Sequence, residues 1–476
     1  MSADLVRIRT GVYHDSVSLM RVSQAVTALP GVEVAMVAMA TELNLGMAAE
    51  LGFDLPEAGP ADLLIALRSG AADTLETAAA ELDRLLAALT GAAAGPAAAA
   101  HPPRTVRAAA RDHACTLALV SVPGPYAFAE AMDAIEAGLS VMVFSDNVPV
   151  EQEVLLKRRA DELDVLVMGP DCGTSVIGGA GLGFANVLRP GPVGVVAASG
   201  TGAQQVTCLL DSAGVGVSHV LGVGGRDLSE EVGGRSTLRA LQALDADPAT
   251  ELIVLISKPP APGVAHAVRE AVAALGTPVV SALLGTGAGD LTAAAEAALR
   301  ALGAPVPVWR SWPAPSAPSA MSAPSAPSAT MCAHGPAGTL RGVYSGGTLC
   351  AEARLVAGTG EFTDFGDDVY TRGRAHPMID STFRLEALAE VPPGDVALLD
   401  VVLGYGADPD PSARLAPGIA AAVGRGVPVV VALIGSEGDP QRPDVQAEAL
   451  RSAGAAVFAS NAQAARHASG LLASPR

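Results

Sequence analysis

Four groups of residues in this chain have types and spacings that could do chemistry. The first is Ser199-Gly200-Thr201-Gly202. It follows the β-branched run Val193 to Ala197 and precedes a helical pattern with Val206, Leu209, Leu210 and Ala213 on one side. Glycines let a backbone approach a ligand, hydroxyls add donors, and a helix starting here directs unpaired N–H groups at an anion. The same residues also suit an ordinary strand-to-helix turn with a Ser or Thr cap. The second group, Ser345-Gly346-Gly347-Thr348, repeats that logic after the strand pattern Arg341 to Tyr344. Two such turns facing each other would make one symmetric pocket. The third is Gly224-Gly225-Arg226-Asp227, at the end of the strand pattern Val217 to Val223. Arg226 could fork onto a phosphate or carboxylate, the alternative being a surface Arg–Asp pair. The fourth is a crowd of Asp367, Asp368, Arg372, Arg374 and His376 within ten residues. Paired arginines suit a dianion. His376 could donate a hydrogen bond to an acyl oxygen as a tetrahedral state forms, with Asp367 or Asp368 orienting the groups. The alternative there is a salt-bridged structural loop. One His with two Asp is too common to argue a metal, and none is expected.

The elements that must position these groups are strands alternating with helices. Residues 1–90 read as a small α/β unit with strands at Val6 to Val12, Val32 to Met39 and Leu63 to Leu67. His14 and Asp15 follow its first strand, where a surface turn is the expected reading. An Ala/Gly/Pro stretch at 91–102 separates it from a second unit, 105–188, in which strands end at Pro123-Gly124-Pro125, at Ser145-Asp146-Asn147 and at Gly169-Pro170-Asp171-Cys172. This alternation implies βαβ units and parallel sheets, in which ligands sit at the carboxyl ends of strands. No GxGxxG opens the unit, so a dinucleotide is not indicated. A third unit spans 189–305, a Pro/Ala/Ser linker 306–337, and a fourth unit 338–476. The linker repeats APSAPSA, and proline at that density builds neither ladder nor helix. The plan of strand, Ser/Gly-rich turn and helix occurs in both later units, which suggests two related lobes.

Bulk properties narrow the function classes. Half of the 476 residues are hydrophobic and the mean hydropathy is +0.38, while aromatics are only 3%, so the cores must be built from Ala, Val and Leu. A net charge of −19 argues against nucleic acid as the main partner, because phosphate backbones need clustered Lys and Arg. Five dispersed cysteines suit a reducing cytoplasm better than a disulfide framework. Every apolar run is interrupted before the length of a membrane span, and the start MSADLVRIRT has no apolar core of a signal peptide. A cytoplasmic protein is expected, with no membrane partner.

Several stretches carry a resemblance. Val122 to Ile177, with VPGPYAFAEAMDAIEAGLSVMVFSDNVPVEQ and GPDCGTS, resembles the end of the CoA-binding domain of the succinyl-CoA synthetase α subunit. GPVGVVAASGTGAQQ followed by LGVGGRD resembles that subunit's ligase domain, and the C-terminal lobe resembles the ligase domain of the β subunit. With SGGTLCAEA and TDFGDDVYTRGRAHPMID added, the chain is identified as a member of the FdrA family of acyl-CoA-synthetase-like proteins. The resemblance implies a succinyl-CoA-synthetase-like α/β architecture of several Rossmann-like and flavodoxin-like parallel-sheet domains. It makes 105–188 the CoA-binding-like domain and 189–305 and 338–476 the ligase-like ones. It implies that Pro123, Asn147, Asp171 and Cys172 border the CoA-site end, with CoA the candidate cofactor. Cys172 has no base beside it in sequence and reads as a small buried residue rather than a nucleophile.

Two departures redirect the function. The synthetase α subunit carries a catalytic His after the strand matching Val279 to Leu284, and this chain reads GTGAGDLTAA there. His266 lies before that strand in mid-helix, where a structural or surface role is expected. The chain's length also leaves no room for an ATP-grasp portion. The family's context resembles subunits of oxamate carbamoyltransferase, which act with two further proteins in allantoin breakdown. Direct handling of an activated acyl or carbamoyl phosphate is then the leading expectation, converting oxalurate and phosphate to oxamate and carbamoyl phosphate beside other subunits. The alternatives are an acyl-CoA synthetase subunit using ATP and CoA with a partner, and a non-catalytic CoA- or metabolite-binding scaffold.

Overall fold

The computed structural model describes residues 3–14, 16–92, 103, 105–285, 287, 289–315, 338–371 and 374–473. Most of the 91–102 stretch and of the Pro/Ala/Ser linker, as well as Asp15, lie outside these residues.

The N-terminal unit is an antiparallel three-stranded sheet in which Leu63–Ser69 lies between Ala3–Arg9 and Val32–Met39. The middle strand, LLIALRS, opens with the unbroken apolar run Leu63 to Leu67 because both its faces are covered there. Helices Ser16–Thr27 and Ala72–Ala92 cover one face through Leu19, Val22, Val26, Ala78 and Leu82. The other face packs on Ala48 and Phe53, where Thr41 caps a helix, Glu42–Glu50, that the sequence pattern did not announce.

Three parallel sheets follow. The first is small, with strands Leu117–Val120, Ser140–Val143 and Val167–Met168 in that order. In the second, Val279–Leu283, Leu252–Ser257, Pro190–Ala197 and Val217–Gly222 run parallel. Its far edge is extended by the hairpin Thr174–Ile177 and Ala180–Gly183, which pairs antiparallel with Val217–Gly222. The sequence reading attached that hairpin to the preceding unit. Its residues instead complete the next sheet, because Val176 is buried in the next unit's core. In the third sheet Glu361–Asp364, Leu340–Tyr344, Val396–Val402, Val429–Ile434 and Ala456–Phe458 run parallel, and Ser311–Trp312 adds an antiparallel edge. The start of the linker is therefore built into the last lobe, with Trp309 buried.

The two six-stranded sheets share one core. Helices Gly200–Ser212 and Leu291–Ala301 of one lobe meet Gly347–Ala357 and Asn461–Ala473 of the other in a common layer. Buried polar groups lock the lobes in register. Gln205 Oε1 accepts from Asn461 N at 2.8 Å, Glu352 accepts from Leu291 N at 2.6 Å and from Asn461 Nδ2 at 2.7 Å, and Asn186 Nδ2 donates to Asp439 at 2.7 Å. Each of these groups would be costly to leave unpaired in the interior, so a slip of one lobe against the other is penalised at several points at once.

Candidate functional site

The first Ser/Gly turn is set by its own sequence. The strand Pro190–Ala197 ends, and Ser199 adopts an extended conformation and accepts from Gly202 N at 2.9 Å, capping the helix Gly200–Ser212. The N–H groups of Gly200 and Thr201 fall among the donors that a helix start leaves without an intrahelical acceptor. The second turn is set from a distance. Gly346 caps the helix Gly347–Ala357 with no side chain to offer. Asp400, from the strand Val396–Val402, accepts from Ser345 N at 2.7 Å, Ser345 Oγ at 3.0 Å and Gly346 N at 2.9 Å. Beneath it Arg384 Nη2 lies 3.0 Å from the same carboxylate. Asp400, Arg384 and Ser345 are all buried. Burial raises the Asp400 carboxyl above its ordinary range, against the pull of Arg384 and of the Ser345 and Gly346 donors. Ser345, expected to meet an anion, is thereby spent inward, because its hydroxyl and N–H already serve an internal carboxylate.

The two turns face each other. A methyl carbon on Gly346 would lie 2.6 Å from Thr201 Oγ1, and one on Gly202 would lie 3.1 Å from Thr348 Cγ2. The contact is reciprocal: each helix start puts a glycine against the other's threonine. Gly346 is required by this approach, whereas at Gly202 a methyl carbon would be blocked chiefly by the turn's own cap, 2.5 Å from Ser199 Oγ. The two helix starts, each with its partial positive charge, thus converge on one point between the lobes.

Three side chains ring that point. Asp364 ends its strand and accepts from Gly366 N at 2.9 Å. Its carboxyl is raised by burial, opposed by the Gly366 N–H and by Lys258. Lys258, directly after the strand Leu252–Ser257, reaches across from the first lobe, and its Nζ would lie 3.0 Å from a methyl carbon on Gly347. His376 Nδ1 accepts from Met378 N at 3.2 Å, so the neutral ring carries its proton on Nε2, which lies 3.0 Å from a methyl position on Gly366. Burial, and then the charge of Arg384, push His376 down to about 4, so it is neutral near pH 7.

The other expected site residues are distributed differently. Arg374 stacks on Phe383, its guanidinium carbon 4.5 Å from the ring centroid. Asp367 caps a short turn through Val369 N, and Asp368 is exposed. Arg372 lies outside the described residues. Asp227 is a correction to the expectation of a ligand contact: it is fully buried, accepting from Lys157 Nζ at 2.7 Å, Ser236 N at 3.2 Å and Thr237 N at 2.8 Å. Every oxygen of that carboxylate is engaged in starting the helix Arg235–Asp245. Its neighbour Arg226 donates to Val148 O at 2.7 Å and pairs with Glu153 Oε2 at 3.1 Å, while its side chain stays partly in solvent. Gly224 turns with φ +91° against Gly169 and Pro170.

At the ends of the small parallel sheet, Pro123 starts the helix Gly124–Glu136 and Asn147 is exposed with φ 53°. Asp171 is raised to about 7 by its crowded surroundings and by Asp146 and Asp368, with Arg226 and Lys258 opposing. Its carboxylate is nevertheless reached by solvent, so it belongs to the wall of an open cleft, where water weakens the burial effect. Cys172 is buried, its Sγ 3.3 Å from Ser175 Oγ and its thiol pushed up to about 11 by burial. It faces the core rather than the cleft. His266 is on the surface beside Glu270, 3.3 Å away.

Lys258, Asp364 and Asp400 were missed in the sequence reading. Each had a local signal: a lysine in a chain with only two, an aspartate closing a strand, and an aspartate inside the apolar run LLDVV.

Three family models match the chain: "AllF, heavy metal-associated domain" over residues 1–102, "CoA binding domain" over 189–284 and "CoA-ligase" over 343–471. The protein YahF of Escherichia coli strain K12 is 37% identical over 97% of this chain and 97% of its own length. The chain belongs to the YahF family. The succinate–CoA ligase α subunit 2 of Archaeoglobus fulgidus is 30% identical over 32% of this chain and 54% of its own length. The malate–CoA ligase α subunit of Methylorubrum extorquens is 28% identical over 32% of this chain and 53% of its own. These YahF-family residues thus span about half the length of the ligase subunits they match, on an acyl-CoA-synthetase-like fold. The CoA-binding match falls on 189–284, one unit further along than the 105–188 to which the sequence reading gave that label. The N-terminal description implies a metal, which the residues do not fit. Residues 1–102 contain no cysteine. Among the described residues no group of three His, Cys, Asp or Glu is arranged to hold an ion. No helix among the described residues is long and apolar enough to cross a membrane.

Proposed function

We propose that the chain is a subunit of an enzyme on the acyl-CoA-synthetase fold that binds an activated acyl or carbamoyl phosphate between the two helix starts and transfers its acyl group directly. The reaction we favour is the conversion of oxalurate and phosphate to oxamate and carbamoyl phosphate. The reciprocal packing of Thr201 on Gly346 and Thr348 on Gly202 carries the reading. It brings two sets of unpaired N–H donors to one place, as a phosphoryl group needs.

In this reading a phosphate oxygen attacks the carbamoyl carbon, the C–N bond to the oxamate nitrogen breaks, and that nitrogen takes up a proton. His376, neutral with its proton on Nε2, is suited to donate a hydrogen bond to the carbonyl oxygen as it gains charge. The reading routes no phosphate through a histidine of the turn after Val279–Leu283, which contains none.

The second reading, an acid–thiol ligase subunit using ATP and CoA with a partner, is favoured by the CoA-binding and CoA-ligase matches and by the ligase relatives. The experiment that separates them assays the full chain, co-expressed with the proteins encoded beside it, for carbamoyl phosphate formed from oxalurate. Turnover that depends on phosphate and proceeds without ATP or CoA is expected. Turnover that requires ATP and CoA overturns the first reading in favour of the second.

A further inference from the structure

Lysine is rare in this chain: Lys157 and Lys258 are the two among 476 residues. Lys157 is locked away. Its Nζ lies 2.8 Å from Glu153 Oε1 and 2.7 Å from Asp227 Oδ1, with the side chain only 1% exposed. Lys258 is the opposite case. It is exposed, and among the described residues no carboxylate comes within ion-pair distance of its Nζ. Its backbone is held nonetheless, since Ser257 Oγ donates to the Lys258 carbonyl at 2.6 Å and Pro259 and Pro260 follow. The ammonium is delivered to the start of the opposite lobe's helix, beside Gly347 and Asp364.

A second, independent feature marks the same spot. Thr348 is 3% exposed, its methyl group rests toward Gly202, and no hydrogen bond reaches its hydroxyl among the described residues. A hydroxyl on so enclosed a residue that no protein group engages is open to a ligand or a water from the cleft. The surroundings are otherwise acidic: Asp364, Asp171 and Asp368 all contribute negative charge to this cleft. A dianion entering would be repelled without a cation, and Lys258 supplies one beside Gly347 with no carboxylate within ion-pair distance among the described residues.

We propose that Lys258 anchors the phosphoryl group of the substrate, its ammonium holding the phosphate oxygens against the start of the helix Gly347–Ala357 and beside the Thr348 hydroxyl. The assignment rests on the proposed reading of the site and adds the residue that gives it a preference for phosphate. An ammonium on a flexible stem acts as a mobile point charge that can follow a tetrahedral group as it changes orientation while its bond to carbon is made. The substrate class is an acyl or carbamoyl phosphate, or the inorganic phosphate from which it forms.

The two-lysine composition makes the test clean. Pyridoxal 5′-phosphate, an amine-seeking aldehyde, followed by borohydride reduction and peptide mapping, should mark Lys258 and the chain's terminal amine while sparing Lys157. Inorganic phosphate should slow labelling of Lys258 several-fold and leave the terminal amine unaffected. Calorimetric titration of the full chain with inorganic phosphate should then show binding weakened tenfold or more in Lys258→Met and largely restored in Lys258→Arg, with melting temperatures unchanged. If the unsubstituted chain binds no phosphate and labelling is unprotected, the underlying reading of the site fails and this assignment with it. If the unsubstituted chain binds phosphate and Lys258→Met binds it equally well, the reading survives and Lys258 is not the anchor.

Discussion

The turns Ser199–Gly202 and Ser345–Thr348 solve one problem in two ways. Both end a buried parallel strand, both start a helix of the shared layer, and each places a glycine against the other's threonine. The first caps itself: Ser199 Oγ serves Gly202 three residues on, and nothing beyond the turn is needed. The second has no side-chain cap of its own and depends on Asp400, 54 residues away from Gly346, with Arg384 beneath it. A local cap leaves the helix start open to a ligand. A distant carboxylate fills the base of the turn with built-in negative charge and leaves only the leading residues, Gly347 and Thr348, facing the cleft. Near-symmetric sequences have thus produced an asymmetric site, with Lys258 contributed from the lobe of the self-capped turn to the helix of the other.

The comparison can be broken most forcefully at Asp400. Removing its carboxylate in Asp400→Ala leaves the Arg384 charge buried and the Ser345 and Gly346 donors unpaired, a class of change that costs about 3–5 kcal/mol. Chemical denaturation should show that loss, and a midpoint within error of the parent would mean that the second turn does not depend on Asp400. An intermediate effect is expected at the contact between the turns. Gly346→Ala forces a methyl group onto Thr201, and overpacking of this kind costs about 1–3 kcal/mol. Combining it with Thr201→Gly should return part of the loss beyond the sum of the single changes. Strict additivity in that double-mutant cycle would mean that the turns do not touch. The smallest effect belongs to Ser199→Ala, the loss of a single local cap, at about 1 kcal/mol. Were it to cost as much as Asp400→Ala, the contrast between local and distant capping would collapse.

Much of this arrangement was legible before any coordinates. The glycine-rich turns announced themselves because close backbone approach demands glycine and a helix start favours hydroxyls. The alternation of apolar runs with helical patterns located the strands that end at them. Other parts were not legible, for identifiable reasons. The hairpin Thr174–Gly183 joins the following sheet, and nothing in its own residues states which neighbour it will pair with. Asp227 looked like a ligand-binding residue at a strand end. Only its placement beside Lys157 and the start of the helix Arg235–Asp245 turned it inward. Arg374 was grouped with His376 by proximity in the chain, yet it stacks on Phe383, a side chain nine residues further along.

The sequence by itself determined the elements, the two Ser/Gly turns, and the absence of a histidine from the turn after Val279–Leu283, because these depend on local backbone chemistry and on residue type. Tertiary structure alone decided that the turns meet head to head, that Asp400 claims Ser345, and that Lys258 and Asp364 share the cleft with His376. Those outcomes depend on how two sheets pack across a common helical layer. Residues more than a hundred positions apart become neighbours there, and no periodicity within either segment encodes it.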